Sequence, residues 1–336
     1  MTLSRWIGWF LASLFLVFPI SLTARCDASG NVRFAVVGDV HLALNSENDG
    51  MKALADSERI LGLVIETLNT IPHLDFVVFN GDLVEVPTEE NARRFASMLS
   101  GLSVPYYLTL GNHDVPHGVG ADQPARPQLS KADVVRILLD RGLADEGCSR
   151  WSATPVAGLR IIGLDSSVPG SWGGRITANA LRWLELELEG HSGEMTILFL
   201  HHGVIQIWDG MNLDEGFFVQ NRDQLQALCE RHPDVKCVVS SHFHAGGGRV
   251  YRGIRYFATP SVVSYPCEFA LFTVTSEAVE MARVPIPDGR VIDTARRLLG
   301  GDLLWRGFFP PGDAGGREME RFFNGQKLIR FPVGLP

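Results

Sequence analysis

Six of the ten histidines in this 336-residue chain fall in five short stretches, each at the end of an apolar run. The stretches are Gly38-Asp39-Val40-His41, Gly81-Asp82, Gly111-Asn112-His113-Asp114, His201-His202 and Ser241-His242-Phe243-His244. Aspartate, asparagine and histidine together supply the oxygen and nitrogen donors of a two-metal hydrolytic site. Any one stretch is weak evidence. Gly-Asp pairs are common in turns, an Asp after a strand usually caps a helix, and a lone His usually serves as a hydrogen-bonded structural residue. Five in order carry far more weight, provided that the fold can bring them together.

The elements needed to do so are legible. Val32–Val37, Phe76–Phe79, Tyr106–Leu110, Leu159–Leu164, Met195–Leu200 and Val235–Val239 are short apolar runs that predict buried strands. Between many of them, Ser57–Leu68, Glu89–Leu99, Lys131–Leu139, Ala178–Leu188 and Arg222–Cys229 repeat apolar residues at helical spacing. Alternating strands and helices predict an α/β fold with a largely parallel sheet. After Ser240 the helices stop, and Arg255–Ala258, Glu268–Thr275 and Val279–Val284 predict a second sheet packed on the first. Beyond Pro285 strand signals are few and Asp302–Gly316 reads as loop. Trp305, Phe308, Phe309, Phe322 and Phe323 predict that this tail packs on the domain. In an open α/β sheet, ligands bind at the carboxyl ends of the strands, and each donor stretch leaves a strand at that end. Gly38, Gly81 and Gly111 stand directly before donors, where a sharp turn of little bulk is useful.

This pattern of GD-x-H, GD, GNHD, HH and H-x-H resembles the calcineurin-like metallophosphoesterases, nearest the branch of the class III cyclic-nucleotide phosphodiesterases. The resemblance spans about Val32 to Val284. It includes Gly173-Gly174-Arg175-Ile176 leading into Leu181-Arg182-Trp183-Leu184, which looks like that branch's linker helix. It implies a four-layer α/β/β/α sandwich. It also implies two metal ions bridged by Asp82, one held by Asp39, His41 and His244 and the other by Asn112, His201 and His242. A bridging water or hydroxide would attack phosphorus in a phosphodiester or phosphomonoester. His113 would hold phosphoryl oxygens or protonate the leaving alkoxide, so His113, Asn112 and Asp82 are the candidate catalytic residues. Of the paired histidines, the first after the strand is the expected ligand. His202, pointing to the other side, is expected to support it. Asp114 either orients His113 or its loop, or only caps the turn. The mixed donor set suits Mn, Fe, Zn or Co, and magnesium alone is disfavoured by so many imidazoles.

Three positions depart from the family pattern. Gly203-Val204 follows the paired histidines where prolines are common, and Ser241 stands where glycine is usual. Glu85 stands where purple acid phosphatases have a metal-binding tyrosine, which argues against a tyrosinate-bound iron centre. None of the three removes a donor.

The formal net charge of −8 argues against a nucleic-acid groove, although bound cations would make the pocket itself positive. Arg5 followed by the apolar run Trp6–Ile20 and small residues predicts a signal peptide over residues 1–28, hence export to the periplasm or cell exterior. Left uncleaved, the same segment would anchor the chain to a membrane. The phosphoesterase domain is then expected over 31–285, with 286–336 as a C-terminal extension. Cleavage after Cys26 would leave Cys148, Cys229, Cys237 and Cys267 as one or two disulfides or as buried residues. Export favours nucleotides, glycerophosphodiesters or lipid headgroups as small phosphoester substrates. Pro116–Leu129 and Val204–Phe218 are candidate lids, with Trp208, Met211, Phe217 and Phe218 either facing the substrate or covering the core. The competing reading is a catalytically inactive binding or scaffold protein that keeps the fold.

Overall fold

The computed structural model describes residues 30–118, 127–138, 150–211, 213–309 and 316–333. The N-terminal apolar run, Cys26 and Cys148 lie outside these residues. Among the described residues no helix is long and apolar enough to cross a membrane.

The strands are β1 (Val32–Val37), β2 (Phe76–Asn80), β3 (Tyr106–Thr109), β4 (Trp151–Val156), β5 (Leu159–Gly163) and β6 (Met195–Phe199), followed by β7 (Val235–Ser240), β8 (Gly247–Tyr251), β9 (Ile254–Ala258), β10 (Glu268–Val274), β11 (Ala278–Pro285) and β12 (Leu328–Pro332). They form two six-stranded mixed sheets, in the orders β12-β11-β10-β1-β2-β3 and β4-β5-β6-β7-β9-β8. In the first, β1, β2 and β3 are parallel while β10, β11 and β12 run antiparallel. In the second, β5, β6, β7 and β9 are parallel and both edges are antiparallel.

This corrects the expectation that the strands after Ser240 make a sheet of their own. Only β8 and β9 stay with β7. The chain then returns to the first sheet, where Val32–Val36 of β1 pairs with Ala270–Val274 of β10. The physical reason lies in the aromatic core. Phe34 stacks on Phe76 at 4.8 Å and on Phe272 at 4.9 Å, its register neighbours on either side. Edge-on, Phe199 of β6 meets Phe34 and Phe257 of β9 meets Phe272, so the row joins the two sheets. Each such pair contributes about 0.5–1.5 kcal/mol beyond its burial.

Helices α1 (Ser57–Thr70), α2 (Glu89–Met98) and α3 (Lys131–Leu138) follow strands of the first sheet, and α4 (Ala178–Gly190) and α5 (Arg222–Arg231) those of the second. With helices flanking both sheets, the architecture is a four-layer α/β/β/α sandwich. The tail is more ordered than its glycines and prolines suggest: α6 (Gly289–Gly301), α7 (Leu303–Arg306) and α8 (Arg317–Asn324) precede β12, which extends the first sheet. The expected loop from Asp302 to Gly316 therefore includes a helical turn, while residues 310–315 lie outside the description. Cys229, Cys237 and Cys267 are buried free thiols. Burial pushes the Cys229 and Cys237 thiols up to about 12.

Candidate metal centre

Strands β1, β2, β3, β6 and β7 end at Val37, Asn80, Thr109, Phe199 and Ser240, just ahead of Asp39, Asp82, Asn112, His201 and His242. Both sheets therefore feed one edge. Asn80 locks them together there: its amide donates to Leu200 O (3.1 Å) and Ser241 Oγ (3.0 Å) and its Oδ1 accepts from the Thr109 hydroxyl (2.9 Å).

The exits are strained in one way. Asp39, His41, Asp82, His242 and His244 have φ between 44° and 69°, the left-handed region that L-residues rarely take. Such positions cost about 1–3 kcal/mol each and persist only where surrounding contacts enforce them. Here the loops pair with each other, as Asp39 N–H donates to Gly81 O and His41 N–H to Asp82 O at 2.8 Å. Gly111 is required because a Cβ there would collide with the Asp82 carboxylate. Ser241 keeps a negative φ, and its hydroxyl shares a 2.8 Å hydrogen bond with Thr259.

The donors fall into overlapping groups. Asp39, His41 and His244 bring donor atoms within 4.8 Å of one another, as do Asp82, His201 and His242, and also His41, Asp82 and His113. Asp82 joins the groups: its Oδ2 lies 3.5 Å from His41 Nε2 and 3.2 Å from His201 Nε2. Asp39 Oδ1 is 3.7 Å from His244 Nε2 and 4.0 Å from His201 Nε2. Asn112 borders the same cleft.

Each imidazole is fixed through its other nitrogen, which aims the inward one at the site. His41 Nδ1 sits 2.6 Å from Glu85 Oε2, and His244 Nδ1 is 2.7 Å from Ser264 Oγ. His201 Nδ1 donates to Asn80 O (3.1 Å) and His242 Nε2 to Gly216 O (3.3 Å). The consequence is two facing pairs of ring nitrogens, His41 with His244 at 3.3 Å and His201 with His242 at 3.1 Å. Asn112 Oδ1, buried beside them, has no hydrogen-bond partner. Converging ring nitrogens and an orphaned carbonyl oxygen fit cations well.

The electrostatics agree. Burial pushes His41 down to about 4, with Lys52 adding to it against the pull of Glu85. Burial, His41 and Lys52 hold His244 well below its ordinary range, as burial, His202 and His201 do for His242. Burial also raises Asp39, with Asp82 adding to it against His201. Burial opposes ionisation of Asp82 too, yet His201, His113 and His41 outweigh it and hold this carboxyl low. Burial opposes charge on His201 as well, yet Asp82 and Asp39 outweigh it and raise this imidazole to about 9, so in the protein alone His201 supplies the positive charge that the two carboxylates require.

The remaining expected residues have distinct places. His113 lines the cleft, with its Nδ1 donating to Glu85 O (2.8 Å) and its backbone N–H to Asp82 Oδ1 (2.9 Å). His202 is turned away. It accepts from the Ser166 hydroxyl at Nδ1 (2.8 Å) and donates from Nε2 to Trp172 O (3.0 Å). Asp114 makes no hydrogen bond to His113; it accepts from Leu83, Val84 and Gly111 N–H, tying the Asn112 loop to the Asp82 loop. Of the four aromatic or sulfur side chains considered for the lids, only Phe217 borders the cleft. Trp208 packs on Phe243 and Phe322 instead, and Phe218 is buried against Phe243. The lid at Pro116–Leu129 lies largely outside the described residues.

Several residues were missed from sequence. Glu85 was read only as a missing tyrosine, yet it holds His41 and is gripped by Lys52 Nζ at 2.6 and 2.7 Å. Burial works against its ionisation, but Lys52, His113 and His41 keep its carboxyl well below the usual range. Asn80 had a usable signal, a lone amide closing the apolar run Phe76-Val77-Val78-Phe79. Trp172 and Trp305, which border the cleft, carried none.

The profile of the family described as calcineurin-like phosphoesterase matches residues 32–246. The chain belongs to that family. As a calcineurin-like phosphoesterase it is a metal-dependent phosphoester hydrolase, similar to the cyclic-nucleotide phosphodiesterase branch. It is 26% identical over 247 residues to a 3′,5′-cyclic-nucleotide phosphodiesterase of Nostoc sp., covering 73% of this chain and 84% of the relative. It is 24% identical to a 3′,5′-cyclic adenosine monophosphate phosphodiesterase of Vibrio vulnificus, over 82% and 94% of the two chains. Among solved structures, a dimetal phosphatase of Danio rerio superposes with a TM-score of 0.62 at 16% identity, covering 76% of this chain and 97% of that one. That likeness supports the fold.

Proposed function

We propose that this calcineurin-like phosphoesterase is a binuclear phosphodiesterase. Asp39, His41 and His244 would hold one ion and Asn112, His201 and His242 the other, with the Asp82 carboxylate between them. The observation that carries this reading is the position of Asp82 Oδ2, within 3.5 Å of an imidazole from each group. When bound, two ions of Mn, Fe, Zn or Co would supply Lewis acidity, acidifying water and neutralising charge on the phosphoryl group.

The chain's own residues set the rest. Glu85, Ser264, Asn80 and Gly216 aim the four ligand imidazoles. His113, with Nδ1 committed to Glu85 O, keeps Nε2 for the substrate, where a ring protonated on both nitrogens would bind a phosphoryl oxygen or pass the Nε2 proton to the leaving alkoxide. The names of the similar proteins support small phosphodiesters, cyclic nucleotides among them, as substrates. The Arg5 and Trp6–Ile20 pattern supports export, which N-terminal sequencing of the mature protein would test.

Hydrolysis of bis(4-nitrophenyl) phosphate by protein loaded with each metal in turn tests the activity. Turnover is expected with at least one of the four, and is expected to vanish in Asp82→Ala. An Asp82→Ala variant that still turned over would sink the proposed mechanism.

A further inference from the structure

The donor residues line a cleft of about 200 Å³, and another part of its wall is built differently. That part is aromatic and acidic: Trp172, Phe217 and Trp305, with Asp49 and Asp302. Phe217 meets Trp172 at 5.2 Å and Trp305 at 5.6 Å, forming a continuous aromatic surface that also touches His242. Trp172 is held from two sides. Its indole occupies the space that a Cβ on Gly216 would need, and its carbonyl accepts from His202. Trp172 as a residue is nevertheless 42% exposed, and it lines the cleft.

Asp302 begins α7 by accepting from Trp305 N–H through Oδ1 (2.9 Å), while its Oδ2 lies close to Gly50. The acidic part thus joins the loop at Asp49 to the C-terminal helical turn. Neither Asp49 nor Asp302 makes an ion pair among the described residues. The cation in this cleft, Lys52, is already committed to both oxygens of Glu85. A second anionic group on a substrate would meet repulsion here. A cationic group would meet ring faces and two carboxylates, the combination that recognises alkylammonium ions.

We infer that this aromatic and acidic wall selects zwitterionic phosphodiesters, with phosphate at the donor residues and a quaternary or primary alkylammonium arm between Trp172 and Asp302. The inference rests on the phosphodiesterase reading above and names its substrate class. It makes Trp172, Asp302 and Asp49 specificity-determining residues. It also gives the C-terminal segment a part in substrate choice.

The test uses the full-length, metal-loaded protein and two substrates with the same 4-nitrophenolate leaving group. One carries a choline arm. The other carries 3,3-dimethylbutyl, its uncharged carbon isostere. A preference of about tenfold in kcat/KM for the choline ester is expected. It should shrink to about twofold in Trp172→Ala and in the double variant Asp49→Asn with Asp302→Asn, whose asparagine can still cap α7. Equal rates for the isosteres, with bis(4-nitrophenyl) phosphate still hydrolysed, would overturn the wall while leaving the metal centre standing. No turnover of any of the three would overturn both. Preference unchanged in both variants would overturn the assignment of these residues.

Discussion

Two parts of the cleft wall are made from different material. The donor part is built at the exits of five parallel strands, with neighbouring loops hydrogen-bonded to each other and five residues held in left-handed backbone. The aromatic and acidic part is built from loops and from a helical turn near the C-terminus, and includes the partly exposed Trp172 and Leu304. Rigid placement suits chemistry that must keep its atoms in fixed relation. Loop-borne walls suit a surface that distinguishes one substrate arm from another. On the inference above, the family's shared reaction and this chain's selectivity would use different parts of one cavity wall.

That division can be broken in order of expected effect. His113→Ala should lower kcat by about 10²–10⁴ while metal content stays unchanged, as measured by steady-state kinetics beside elemental analysis. A parallel loss of metal would move His113 into the ligand set. Glu85→Gln should weaken binding of one ion by about 10–100-fold, because His41 loses the carboxylate that fixes its tautomer. Metal titration followed by calorimetry reads this directly, and unaltered affinity would leave Glu85 with only its Lys52 contact. His202→Ala should cost about 1–3 kcal/mol of stability, by chemical denaturation, through the loss of its bonds to Ser166 and Trp172. It should still bind metal, and should shift KM more than kcat. The smallest effect is thermal: a chelator should lower Tm by roughly 5 °C, since ions that bind only the folded state stabilise it by mass action.

The sequence was most readable where the strands are most buried. Central strands such as β1, β2, β6 and β7 are largely apolar runs, and their exits carried the donors in plain view. The three strands that went unseen, β4, β8 and β12, are all edges of their sheets. Pro155 lies within an irregular stretch of β4, Gly247-Gly248 opens β8, and β12 ends in Pro332 with alternate residues exposed. Edge strands tolerate such residues because one side makes no ladder, so no continuous pattern forms. The return of β10 to β1 was hidden for another reason. Strand order is fixed by which apolar faces meet, here Phe34 with Phe272, and spacing along the chain does not encode it.

The same contrast holds within the site. Donor types could be read from motifs because metals need particular atoms. Asn80, Lys52 and Ser264 are ordinary residues whose roles arise only from what the fold sets beside them. Tail residues Asp302 and Trp305 reach the cleft only after α6 has carried the chain back to the donor edge.

At the centre of the proposed site stands one carboxylate, Asp82, which would be shared between two cation positions. Counting tightly bound metal per chain in the natural sequence and in Asp82→Asn, both shown to be folded, tests it most directly. Two ions are expected in the natural chain, and the loss of at least one in the variant. Two ions retained by Asp82→Asn, or fewer than two in the natural chain at saturating metal, would contradict the shared carboxylate.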